Sequence, residues 1–148
     1  MCFLKKKVEP PKPVSPYPTT TEEIPSPRDI IKYADMSVTR DTLVIRGLPT
    51  DTIIADIADT NSLDPLIDIG HNCILVPFQD YAPYRHADLE VGDLAVFQVG
   101  TKLTSHRIIE IREDNGRLYR FRGDNTGSAD PYLLRDQHLK YLIVGIIY

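Results

Sequence analysis

Tryptophan is absent from these 148 residues, and cysteine and methionine occur twice each. Two cysteines, Cys2 and Cys73, supply neither a disulfide framework nor the spacing of a zinc site, so the sequence implies a reduced, cytosolic setting. Long apolar runs are missing too. None exceeds about four residues, and the stretch from Leu142 to Ile147 is interrupted by Gly145, whereas a bilayer span needs roughly 20. Met1-Cys2-Phe3-Leu4 runs straight into Lys5, Lys6 and Lys7, too short an apolar stretch for a secretory leader. No membrane span and no secretion by a signal peptide are therefore expected. Basic charge is scarce: Lys plus Arg number 17 against 21 Asp plus Glu, for a net charge of -4. A nucleic-acid binder needs a concentrated basic surface to displace counterions from phosphates, so that class is excluded. No Gly-rich phosphate loop and no internal repeat occur. His71, Cys73, His86 and Asp88 match no metal-ligand spacing, and neither metal nor cofactor is expected.

Apolar residues nevertheless make up 42% of the chain, with eight tyrosines and four phenylalanines, enough to build the core of one domain. Proline is unevenly placed, with seven of the twelve between Pro10 and Pro27. Proline donates no backbone hydrogen bond, so residues 1–28 read as an extended, polyproline-like arm or linker, suited to tethering or to docking on a protein assembly. This arm carries five Lys/Arg against three Asp/Glu, the remainder twelve against eighteen. The body, residues 29–148, is therefore acidic and the arm mildly basic.

Within the body, Asp29 to Ala34 predicts a short capped helix. Beyond it the pattern predicts strands at Thr42–Arg46, Thr52–Ala58, Cys73–Pro77, Leu94–Gln98, Ser105–Arg112, Arg117–Arg122 and Tyr141–Ile147. Asp114-Asn115-Gly116 marks a hairpin, because Asn-Gly tolerates the positive φ of such a turn. Phe78 to Asp93, with Tyr81, Tyr84, Arg85 and His86, is the one long loop. Tyr119 and Phe121 alternate with Arg120 as strand residues do. The fold class is mainly β.

Three segments carry chemistry-bearing residues: Asn61-Ser62-Leu63-Asp64-Pro65, Ser105-His106-Arg107-Ile108, and Arg122-Gly123-Asp124-Asn125 followed by Asp130-Pro131. In this order they resemble the signal peptidase I and LexA-like serine peptidase superfamily, in its archaeal and endoplasmic-reticulum type, which uses histidine as base. Ser62-Leu63-Asp64-Pro65 is similar to the family's nucleophile box, His106-Arg107 to its base box, and Gly123-Asp124-Asn125 with Asp130 to its acid box. Val91-Gly92-Asp93-Leu94-Ala95-Val96-Phe97 fits the strand that precedes the histidine. The resemblance covers about residues 58–148.

It implies a signal-peptidase/LexA-like β domain and a soluble serine endopeptidase acting on a protein or peptide substrate. Ser62 would be the nucleophile and His106 the general base, with Asp124 or Asp130 holding the imidazole. A serine hydroxyl attacks only when a base removes its proton, and a histidine near neutrality suits that task. Lys102, expected in a loop, is a less suitable base because an amine there stays protonated. Leu63 stands where the family has methionine, and Ile69-Gly70-His71 where it commonly has Gly-Asp. Residues 1–61 hold no Ala-Gly or Cys-Gly site and no helix-turn-helix, which disfavours repressor autocleavage. The competing reading is a non-catalytic structural or adaptor protein, for example of a bacteriophage particle, docking through its arm. The expected location is cytoplasmic or virion-associated.

Overall fold

The strand from Leu94 to Val99 is apolar on both faces, and the architecture follows from that. Leu94 and Val96 point into one buried cluster with Leu63, Ile67, Cys73, Leu75 and Ile143. Ala95 and Phe97 point into another, with Val76, Tyr84, Leu89, Ile108, Tyr119, Phe121 and Leu142. A strand whose alternate residues enter two cores lies in the interior of a curled sheet, and so reads as a continuous apolar run.

The structure, a computed structural model, describes residues 25–58 and 61–148. Most of the expected arm, residues 1–24, lies outside the described residues. The chain forms β1 (Met36–Thr39), β2 (Thr42–Ile45), β3 (Ile53–Asp56), β4 (Asn72–Pro77), β5 (Leu94–Val99), β6 (Lys102–Glu113), β7 (Arg117–Arg122), β8 (Leu133–Leu134) and β9 (Leu139–Ile147). β1 and β2 form a separate hairpin, and the others an antiparallel sheet in the order β3-β4-β9-β5-β6-β7-β8. Register shifts at Ile74/Leu75, Val96/Phe97 and Ile108/Glu110 bend the sheet around its two cores. The molecule is mainly β, as the sequence predicts, and no described helix is long and apolar enough to cross a membrane.

Three expectations are corrected in detail. The helix over Asp29 to Ala34 is a single 3-10 turn, Tyr33–Asp35, whose N-cap residue is Lys32, without a side-chain cap bond. Lys102 opens β6 instead of sitting in a loop, because Gly100 takes φ +60° and lets β5 and β6 turn within two residues, pairing Val99 with Lys102. β1 and β8 carry no strong sequence signal and were not expected. At the β6–β7 turn, Asn115 and Gly116 do take positive φ, 47° and 107°.

The long loop is folded down onto the core. Tyr84 and Leu89 are buried in the first cluster, and Arg117 on β7 donates to the carbonyls of His86 (2.6 Å) and Leu89 (2.8 Å). Tyr119 and Phe121 are both core residues, and the Tyr119 hydroxyl donates to Asp136 at 2.7 Å.

Cys73 is fully buried on β4, and burial pushes its thiol from 9.0 up to about 11. The fold thus favours the neutral thiol; this contribution to stability is whole below about pH 9 and fades as pH rises towards about 11. In a Cys2→Ser variant, a thiol reagent at pH 8 should therefore modify Cys73 only on unfolding, with a rate that rises with urea. Rapid native labelling would show that Cys73 is not in the core.

Candidate active site

The turn that follows β3 begins at Asn61 in a left-handed conformation, φ 53°, which asparagine tolerates well. Ser62 comes next, and Leu63 plunges into the second core cluster at 3% exposure. The Leu63 carbonyl accepts from the N–H groups of Leu66 (2.9 Å) and Ile67 (3.1 Å), so the segment winds tightly beneath Ser62. Leu63 packs as a buried anchor for the turn.

A second loop clamps this turn from above. Asn125 donates its N–H to the Ser62 carbonyl at 3.0 Å and its side-chain amide to the Asn61 carbonyl at 2.9 Å. Gly123 makes the close approach possible. A Cβ there would lie 2.5 Å from the Ser62 carbonyl oxygen and 3.1 Å from His106 Nε2. The Ser62 backbone and the His106 ring thus both press against the same Cα. Gly123→Ala is expected to displace one or both, which shifts the NMR signals of the His106 ring. Unshifted His106 ring signals in the folded variant would contradict this role for Gly123.

His106 lies on β6, 8% exposed, with its ring edge-on to Phe97 at 6.0 Å. Its Nδ1 is 2.8 Å from Asp130 Oδ2. An ionised carboxylate only accepts, so in the neutral imidazole Nδ1 donates to Asp130 and Nε2, on the Gly123 side, carries the lone pair. Asp130 is itself held where the chain returns to β7, its N–H donating to the Phe121 carbonyl at 2.9 Å.

Asp124 is engaged elsewhere. Its carboxylate takes Nε (2.8 Å) and a terminal nitrogen (2.6 Å) of Arg107 in a forked pair, both residues being buried. Of the two acids that sequence reasoning left open, Asp130 contacts the imidazole and Asp124 the neighbouring arginine. Strand alternation explains the division: His106 and Arg107 are adjacent on β6 and project to opposite sides. Arg107 also donates to the carbonyls of Gly92 (2.8 Å) and Pro25 (3.2 Å). Beside it, Arg28 donates to Asp93, 2.8 Å from Nε, so the segment 25–28 is strapped down behind the site. A Cβ on Gly92 would collide with the Ser26 carbonyl, which explains the glycine of the Val91-Gly92-Asp93 box. This strap was missed by sequence reasoning; the only hint was a glycine beside an acid ahead of an apolar strand.

Ser62 and His106 line one cleft of about 560 Å³, with walls that include Ala55, Ala58, Leu75, Val96 and Tyr132. β3 borders it and is an edge strand, pairing only with β4 among the described residues. Its outer edge therefore offers backbone donors and acceptors to an added extended segment. Of the residues weighed as metal ligands, His71 Nδ1 accepts from Asp68 N–H, His86 stacks on Phe78, Asp88 pairs with Arg85 and Cys73 is in the core, and among the described residues no three His, Cys, Asp or Glu side chains are grouped to hold a metal. No protein-family model, curated protein or solved structure matches this chain.

Proposed function

We propose that the protein is a serine endopeptidase of the signal-peptidase and LexA-like type, with Ser62 as nucleophile, His106 as general base and Asp130 as the acid that orients it. The observation that carries this reading is the polarised histidine. Nδ1 is tied to a carboxylate, while Nε2 faces the glycine that also touches the Ser62 turn, at the wall of a cleft bordered by an unpaired strand edge.

The chemistry follows from that arrangement. Ser62 Oγ adds to the scissile carbonyl carbon as its proton passes to His106 Nε2, and Asp130 stabilises the imidazolium that forms. Backbone N–H groups at the Ser62 turn take the tetrahedral oxyanion, each such donor being worth about 10²–10³ in rate. The C–N bond then breaks as Nε2 returns the proton to the leaving amine. Water, deprotonated by the same nitrogen, hydrolyses the acyl ester and restores Ser62. Arg107 and Asp124 touch no reacting atom; they are positioning residues that fix the Gly123–Asn125 loop over Ser62.

The test is digestion of a proteome-derived peptide library by wild type and by Ser62→Ala, read by mass spectrometry. Cuts present only in wild type support the peptidase, and identical products from both proteins refute it. A second reading, a non-catalytic adaptor, draws support from the β1–β2 hairpin. Val38 (79%) and Leu43 (55%) are exposed there, with Tyr33 (90%) just ahead, an apolar surface suited to a protein partner.

A further inference from the structure

The cleft carries, besides His106, two residues of formal charge, Asp56 at the end of β3 and Lys102 at the start of β6. Both are exposed. Among the described residues neither forms an ion pair, with the other or with anything else. Lys102, Thr104 and His106 fall on one face of β6, whose pairing with β5 is regular from Leu94↔Arg107 to Val99↔Lys102. An uncompensated ammonium thus stands on the same face as the base, within the same cleft.

We propose that Lys102 is a specificity-determining residue that selects an acidic side chain in the substrate, roughly three to five residues from the scissile bond. The proposal rests on the peptidase reading above and deepens it. The distance comes from strand geometry. Lys102 and His106 are four positions apart on β6, about 13 Å at 3.3 Å per residue, and an extended peptide lying in the cleft advances at the same pitch. Lys102 therefore faces a substrate residue about four positions from the carbonyl under attack, and the flexible lysine stem widens this by about one position either way. Asp56, on the other wall, opposes acidic side chains in its own vicinity, which makes the preference positional and not general. The body as a whole is acidic, with twelve Lys/Arg against eighteen Asp/Glu in residues 29–148. Its long-range field repels acidic peptides, so an acidic preference at one position has to originate locally.

The experiment uses the full chain and the same peptide library at low and high salt, with wild type, Lys102→Gln, Lys102→Glu and Ser62→Ala. Among Ser62-dependent cuts, wild type should enrich Asp and Glu about threefold at a single position three to five residues from the bond, as expected for an exposed ion pair. The enrichment should vanish in Lys102→Gln and turn to Lys and Arg in Lys102→Glu. It should also shrink at high ionic strength, where exposed charges are screened. Ser62-dependent cuts with no such enrichment, or with the same enrichment in all Lys102 variants, overturn this inference while leaving the peptidase intact. Loss of every Ser62-dependent cut in Lys102→Gln also overturns it, because the amine would then be acting as a base. Absence of Ser62-dependent cuts in wild type removes the peptidase reading itself.

Discussion

Replacing His106 by alanine should lower kcat/KM by at least about 10⁴-fold, the scale on which loss of a triad member acts. Asp130→Asn should come close to it, at roughly 10⁴-fold. An amide at that position can donate to Nδ1 and so favours the tautomer with its proton on Nε2, which leaves no lone pair facing Ser62. Both side chains are largely buried, 10% and 13% exposed, and His106→Ala leaves the Asp130 carboxylate without its imidazole, so the loss of rate is to be read on variants whose fold is verified by chemical denaturation. The double variant is the sharper test, because residues that act as one unit are not additive. His106→Ala with Asp130→Asn should be about as slow as His106→Ala alone. A further large drop in the double variant would show that Asp130 works independently of the imidazole.

The second large effect is on stability, and it separates the two acids. Arg107 and Asp124 form a forked pair at side-chain exposures of 6% and 4%. Removing one partner strands a charge where water cannot reach it, so Asp124→Ala is expected to cost about 3–5 kcal/mol in chemical denaturation. Asp130→Asn should cost far less. Replacing both members by apolar residues, Arg107→Met with Asp124→Leu, should restore much of the loss, because the penalty comes from the unpaired charge and not from the missing bond. Arg107 also ties down the carbonyls of Gly92 and Pro25, so recovery will be incomplete. A small cost for Asp124→Ala, together with a collapse in rate, would mean that Asp124 and not Asp130 serves the histidine.

These two predictions also mark the limit of what the sequence discloses. The candidate residues stood out only because three short boxes, each ordinary by itself, resemble in their order those of a known serine peptidase superfamily. Which acid serves which base was not legible. Asp124 and Asp130 both follow β7 closely, and only the opposite projection of His106 and Arg107 from β6 assigns them. β5 and the β6–β7 hairpin were readable from an unbroken apolar run and from Asn115-Gly116. β8, two residues long, and β1, exposed along most of its length, bury too little to leave a pattern. The helix expected at Asp29 fails for a tertiary reason. Arg28 is drawn to Asp93, and Ile30 packs against the first core cluster, so the chain stays irregular until the 3-10 turn at Tyr33–Asp35. The strap of residues 25–28 behind Arg107 depends on contacts 65 or more residues away, beyond the reach of local pattern.

The central claim is that Ser62 forms an acyl intermediate with the help of His106. Its most direct measurement is acid-quenched mass mapping of the protein after brief exposure to an activated peptide ester. An acyl mass on the peptide containing Ser62, absent from Ser62→Ala and formed far more slowly in His106→Ala, is the predicted result. Acylation at another residue, or labelling of Ser62 at the same rate without His106, would contradict the account.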